Sequence, residues 1–117
     1  MSEFIAYQIA MEAARQLGPN LAAIRRRDRD LDKQLRRATR SFVLNLAEGN
    51  RRRGQDRLHL FRIAAGSAAE VKAGLDLAVA WAYLGEAQAG PAKEQLDQLL
   101  ALCWRLTERA KAGPRAG

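Results

Sequence analysis

The sequence has one cysteine and one histidine among 117 residues, only three prolines, and seven aromatic side chains. The lone thiol, Cys103, cannot close an intrachain disulfide. The lone imidazole, His59, forms a D-x-x-H pair with Asp56, yet a di-metal site inside a helical bundle needs two such pairs and two further glutamates. His59 also stands between Arg57 and Arg62, so it reads as a surface residue and no metal or cofactor is expected. Zinc-ligand spacing, a phosphate-cradling glycine loop and a Ser/His/Asp arrangement are all missing, which leaves no catalytic residue to name. There is no run of about 18 apolar residues and no secretory segment, so the expected address is the cytoplasm, without a membrane.

What is there is mostly Ala, Leu, Arg, Glu and Gln, with few β-branched residues. That composition favours helix over sheet, and the length suits one domain able to bury a core without disulfide or metal. Ile9, Ala13 and Leu17 recur at helical spacing after Phe4, with Ser2 as a capping residue, and Leu21 and Ile24 keep the phase beyond Pro19. One long helix to about Arg26 is expected, kinked or briefly broken where the proline removes a donor. Residues 25–30 read as a charged turn in which Asp28 or Asp30 caps a second helix. Leu31, Leu35, Ala38, Phe42 and Asn45 then follow at steps of four and three, an a/d stripe, ending near Gly49 and Asn50, both suited to a left-handed terminus.

A third helix is predicted over residues 55–84, with Leu58, Phe61, Ala65, Ala68, Leu75 and Ala78 inward and Gly85 as its stop. Gly66 and Gly74 within it suggest a second backbone close by. Pro91 fits the first turn of a fourth helix carrying Leu96, Leu99, Leu100, Cys103 and Leu106. Four apolar stripes with short connections predict an all-α, antiparallel up-down four-helix bundle over residues 1–112, with a flexible tail at 113–117.

Polar residues interrupt the predicted inner faces. Ser41, Asn45 and Glu48 share one side of the second helix, and Ser67 and Glu70 lie three apart on the third. A buried asparagine without a partner costs roughly 1 to 3 kcal/mol, so a structural interhelical network that fixes register is expected.

The charge is concentrated. Residues 25–62 hold thirteen Lys or Arg against five Asp or Glu, more than the whole formal net charge of +7. Arg36, Arg37 and Arg40 project from the second helix, Arg51, Arg52 and Arg53 leave its far end, and Arg57 and Arg62 open the third. Such a spread suits phosphate contacts and hence RNA or DNA. It also suits an acidic protein partner recruited to a scaffold, or a surface that only keeps an Ala-rich protein soluble. Trp81 and Trp104 are not interleaved with the arginines along the chain, which argues against base stacking and for packing at helix ends or a subunit contact.

The run QLRRATRSFVLNLAEG, followed after a basic loop by FRIAAGSAAEV, resembles the bacterial four-helix-bundle family of the 23S rRNA intervening-sequence protein, a relative of the accessory variability protein of diversity-generating retroelements. The resemblance rests on Gln34 to Ala38 and Ser41, on Asn45, Ala47, Glu48 and Gly49, and on Gly66, Ser67 and Glu70. It implies a non-enzymatic homopentamer with a basic nucleic-acid-binding surface and, in the retroelement branch, a reverse transcriptase as partner. Two features depart from the family: the loop after Gly49 is about one residue short, and Arg57 stands where an aromatic is usual.

Overall fold

The computed structural model describes the backbone of residues 2–112 and side chains from residue 5 to residue 108; the predicted tail at 113–117 and the positions of the Ser2 and Phe4 side chains lie outside the described residues. Four helices follow in order, α1 (Ser2–Arg27), α2 (Arg29–Gly49), α3 (Gly54–Ala80) and α4 (Glu86–Ala112). Each packs against two neighbours in the cyclic order α1, α2, α3, α4 and back to α1, giving a rod of 55 × 22 × 19 Å. Connections too short for a crossover make successive helices antiparallel, and the fold is the expected all-α bundle.

The core forms along one stripe per helix. Leu17, Ile24, Leu35, Phe42, Leu46, Phe61, Val71, Leu75, Leu96 and Leu99 are almost completely buried. Each such side chain contributes about 1.5–3 kcal/mol relative to exposure, so these residues supply the main driving force. The stripe on α2 departs from the expected one at its end. After Phe42 the next core position is Leu46, four residues on, and Asn45 is only half buried, because a larger apolar side chain takes the inward direction. The buried polar residues are instead Asn20 and Asp32. Asp32 pairs with Arg36 at 2.8 Å, whereas the amide nitrogen of Asn20 has no partner among the described residues.

Helix termini supply further corrections. The turn expected over residues 25–30 shrinks to Asp28 alone, whose Oδ1 accepts the Leu31 N–H at 3.0 Å as the N-cap of α2. Asn50 ends α2 in right-handed conformation (φ −62°), and Gly49 is not left-handed either. Glycine is needed at 49 for a different reason: a Cβ there would lie 2.6 and 2.9 Å from two carbons of the Phe61 ring. α3 stops at Ala80, four residues before the predicted end. The Ala82 N–H donates to the Val79 carbonyl at 3.0 Å and the Tyr83 N–H to that of Ala78 at 2.8 Å, the bond pair of a Schellman cap. Gly85, predicted as the stop, instead stands just before α4 as its cap, donating its N–H to Gln88 Oε1 at 2.9 Å in half of a capping box. α4 therefore starts five residues before Pro91, which sits exposed inside the helix. Pro19 is likewise exposed within α1, which runs through it without the expected break.

Neither Gly66 nor Gly74 meets a second backbone. Gly66 is exposed with open space around it, and Gly74 makes room for the Leu35 side chain of α2.

The Schellman cap places a non-glycine residue, Ala82, at φ 61°. A left-handed alanine costs about 1–2 kcal/mol, and glycine gives part of that back through its larger unfolded-state entropy. Ala82→Gly is therefore expected to stabilise the protein by about 0.5–1 kcal/mol, seen as a higher urea midpoint with an unchanged m value. An unchanged or lower midpoint would show that the position is unstrained.

Candidate nucleic-acid interface

The polar residues singled out along α2 and α3 form two separate interhelical contacts. Ser67 Oγ donates to Ser41 Oγ at 2.7 Å across the α2–α3 seam, and the Asn45 amide donates to the Ser41 carbonyl at 2.8 Å and to Ser41 Oγ at 3.2 Å. Asn45 thus bonds within its own helix and reaches α3 only through the serine. Gln34 donates to Glu70 at 3.0 Å one turn away. Glu48 takes no part in either contact, because it lies half buried at the helix end and accepts from Arg52 Nε at 2.7 Å. On the α3–α4 seam, Lys72 pairs with Asp97 and Lys93 with Asp76, each at 2.6 Å. Partly exposed pairs of this kind contribute roughly 0–1 kcal/mol and act more on register than on stability.

The eight arginines differ in what engages them. Arg36 is held by Asp32, and Arg52 by Glu48, whose carboxylate raises the pKa of the guanidinium above its ordinary value. Arg57 is half buried. Its Nε donates to the Gly49 carbonyl at 3.2 Å, its Nη2 to that of Asn50 at 3.4 Å, and its guanidinium lies 6.0 Å from the Phe61 ring centroid. It caps the end of α2 and covers the ring seated on Gly49, so its main contacts are with the protein itself. An arginine serves here because its guanidinium lies over the ring while donating to two terminal carbonyls. The remaining five, Arg37, Arg40, Arg51, Arg53 and Arg62, are exposed and have no ion-pair partner among the described residues.

Five further basic residues outside the candidate set lie within residues 25–62, Arg25, Arg26, Arg27, Arg29 and Lys33. Arg25, Arg29 and Lys33 line a shallow groove of about 540 Å³ together with Arg36 and Arg40. The signal was available, since Arg29, Lys33, Arg36 and Arg40 follow at steps of four, three and four and so share a face of α2. Asp30 and Asp32 enter the same groove, so its field is mixed.

Asp56 and His59 are both exposed, and among the described residues no three His, Cys, Asp or Glu side chains gather closely enough to hold a metal ion. Cys103 is fully buried, and burial pushes its thiol up to about 11, so it stays protonated and unreactive at neutral pH. Any stability gained by keeping that thiol neutral is present below pH 9 and lost as pH rises through about 11. Among the described residues no helix is long and apolar enough to cross a membrane.

The sequence profile of the family described as 23S rRNA-intervening sequence protein matches residues 2–105, nearly all of the four-helix rod. The chain belongs to this family. No curated protein sequence matches it. Among solved structures it is similar to a Bacteroides thetaiotaomicron protein of unknown function from the S23 ribosomal protein family, with a TM-score of 0.79 at 18% identity, covering 93% of this chain and 100% of the other. At that identity the likeness concerns the fold. Within the family frame, Gly49 receives the Phe61 ring, and Ser41 and Ser67 join α2 to α3.

Proposed function

We propose that this family member is a non-enzymatic oligomer that binds RNA or DNA through phosphate contacts from α2, the α2–α3 connection and the start of α3. The observation that carries the proposal is the set of five exposed arginines, Arg37, Arg40, Arg51, Arg53 and Arg62, that no carboxylate neutralises among the described residues. Arg57 and the Phe61–Gly49 contact hold the connection bearing Arg51 and Arg53 against the bundle. The oligomeric part, with a pentamer as the proposed assembly, is supported by Leu44, Ile63, Leu77 and Trp104, large apolar side chains left between 36% and 65% exposed on a single copy.

Arg51→Gln combined with Arg53→Gln tests the reading. Two fewer neutralised phosphates should flatten the log–log salt dependence of duplex binding by about 1.8, with the helical circular-dichroism signal unchanged. Unaltered binding would move the interface elsewhere. Failure of the unmodified protein to bind duplex DNA or heparin at about 0.1 M salt would favour an acidic protein partner.

A further inference from the structure

The end of the rod where α1 turns into α2 and α3 into α4 carries an aromatic and cationic cluster that the chain order conceals. Trp81 is 54% exposed, and its ring meets that of Tyr83 edge to face, with centroids 5.8 Å apart and planes at 67°. The Arg27 guanidinium lies 5.6 Å from the Tyr83 ring centroid, and the Tyr83 hydroxyl donates to Asp28 Oδ2 at 3.1 Å. Since Asp28 also caps α2, one carboxylate ties the two turns together. Tyr83 is thereby held by Trp81, Arg27 and Asp28, and it packs against an indole that remains about half exposed. Arg25, Arg26 and Arg29 are exposed on the adjoining turn and have no ion-pair partner among the described residues.

We infer that this end binds single-stranded nucleic acid, with an unpaired base stacked on the open part of Trp81 and the strand's phosphates met by Arg25, Arg26 and Arg29. The inference rests on the nucleic-acid reading above but uses different residues and a different form of the strand. An aromatic face next to guanidinium groups suits an unpaired base on a polyanionic strand, because every base has a face to stack and every nucleotide a charge to neutralise. Bases inside a duplex are already stacked and cannot reach the indole, so Trp81 discriminates for single strands while arginines alone do not. The Tyr83 contact adds pre-organisation: the indole is held before the strand arrives, which lowers the ordering cost of binding.

Trp104→Phe leaves Trp81 as the single indole of the protein. Titration of that variant, as the intact assembly, with oligouridylate and with oligothymidylate of about eight nucleotides should quench its fluorescence saturably. A response to both strands, or to one alone, supports the site and tells whether the ribose hydroxyl matters. Trp81→Ala should weaken single-strand binding roughly tenfold and leave duplex affinity unchanged, with the helical signal intact. Arg25→Gln, Arg26→Gln and Arg29→Gln together should weaken single-strand binding while keeping the Trp81 emission of the free protein. Absence of quenching by either strand, or native single-strand affinity in Trp81→Ala, overturns the inference. So does an indole in the free assembly that acrylamide cannot reach, which would mean another copy covers it. If duplex binding responds to Arg51→Gln and Arg53→Gln but Trp81 does not respond to single strands, this inference fails alone. If no nucleic acid binds at all, the proposed function fails with it.

Discussion

Between about 50 and 200 mM salt, the affinity of the protein for duplex nucleic acid is expected to fall by roughly 500-fold. The expectation comes from counting guanidinium groups that have nothing else to neutralise. Arg36 and Arg52 are engaged by carboxylates and Arg57 by backbone carbonyls, which leaves Arg37, Arg40, Arg51, Arg53 and Arg62. Five neutralised phosphates give a log–log slope of about −4.5, since each releases close to one condensed counterion from a duplex. Fluorescence anisotropy of a labelled duplex over a salt series measures the slope directly. A value near −7 would mean that the carboxylate-held and carbonyl-held arginines also reach phosphate, and a value near −1 would remove the array as the binding surface. The sequence alone would have suggested the larger number, because eight arginines look alike until their partners are known.

Alanine at Gly49 is expected to lower the stability of the bundle by about 2 kcal/mol, while alanine at Gly66 should raise it by about 0.5–1 kcal/mol. A Cβ at Gly49 would lie 2.6 and 2.9 Å from two carbons of the Phe61 ring, with Leu60 Cβ at 3.6 Å behind it. That ring is rigid, only 1% exposed, and roofed by Arg57, so it has little room to retreat. Overpacking of this kind costs about 1–3 kcal/mol, and at the last residue of a helix little propensity is regained. Gly66 is the control, with nothing within 4 Å of the added atom and an exposed helix-interior position where alanine is the better residue. Urea unfolding of both variants separates the two. Native stability in Gly49→Ala would show that Phe61 can shift, and the cap made by Arg57 would then need only the arginine.

Much of the architecture was readable in the chain. Helical periodicity places Leu17, Ile24, Leu35, Phe42, Phe61 and Leu96 in the core, and the structure keeps every one of them there. Errors gathered where two inward directions competed or where a terminus was decided by distant atoms. Asn45 and Leu46 lie on adjacent spokes of α2, and volume, not spacing, gave the core to leucine. Gly49 carries the same letter whether it ends a helix in left-handed conformation or admits a ring, and only the position of Phe61 separates those uses. At the other end, the left-handed cap fell on Ala82, a residue with no local preference for it, because Tyr83 is drawn to Asp28 more than fifty residues away.

Composition and period determined the helical class, four stripes and the concentration of positive charge, since these depend on neighbours within one or two turns. Which arginines stay available, why Gly49 is glycine and how Tyr83 comes to stand beside Arg27 and Asp28 were decided by tertiary packing alone. Each depends on the direction in which a side chain leaves one helix relative to another, and no stretch of chain contains that information by itself.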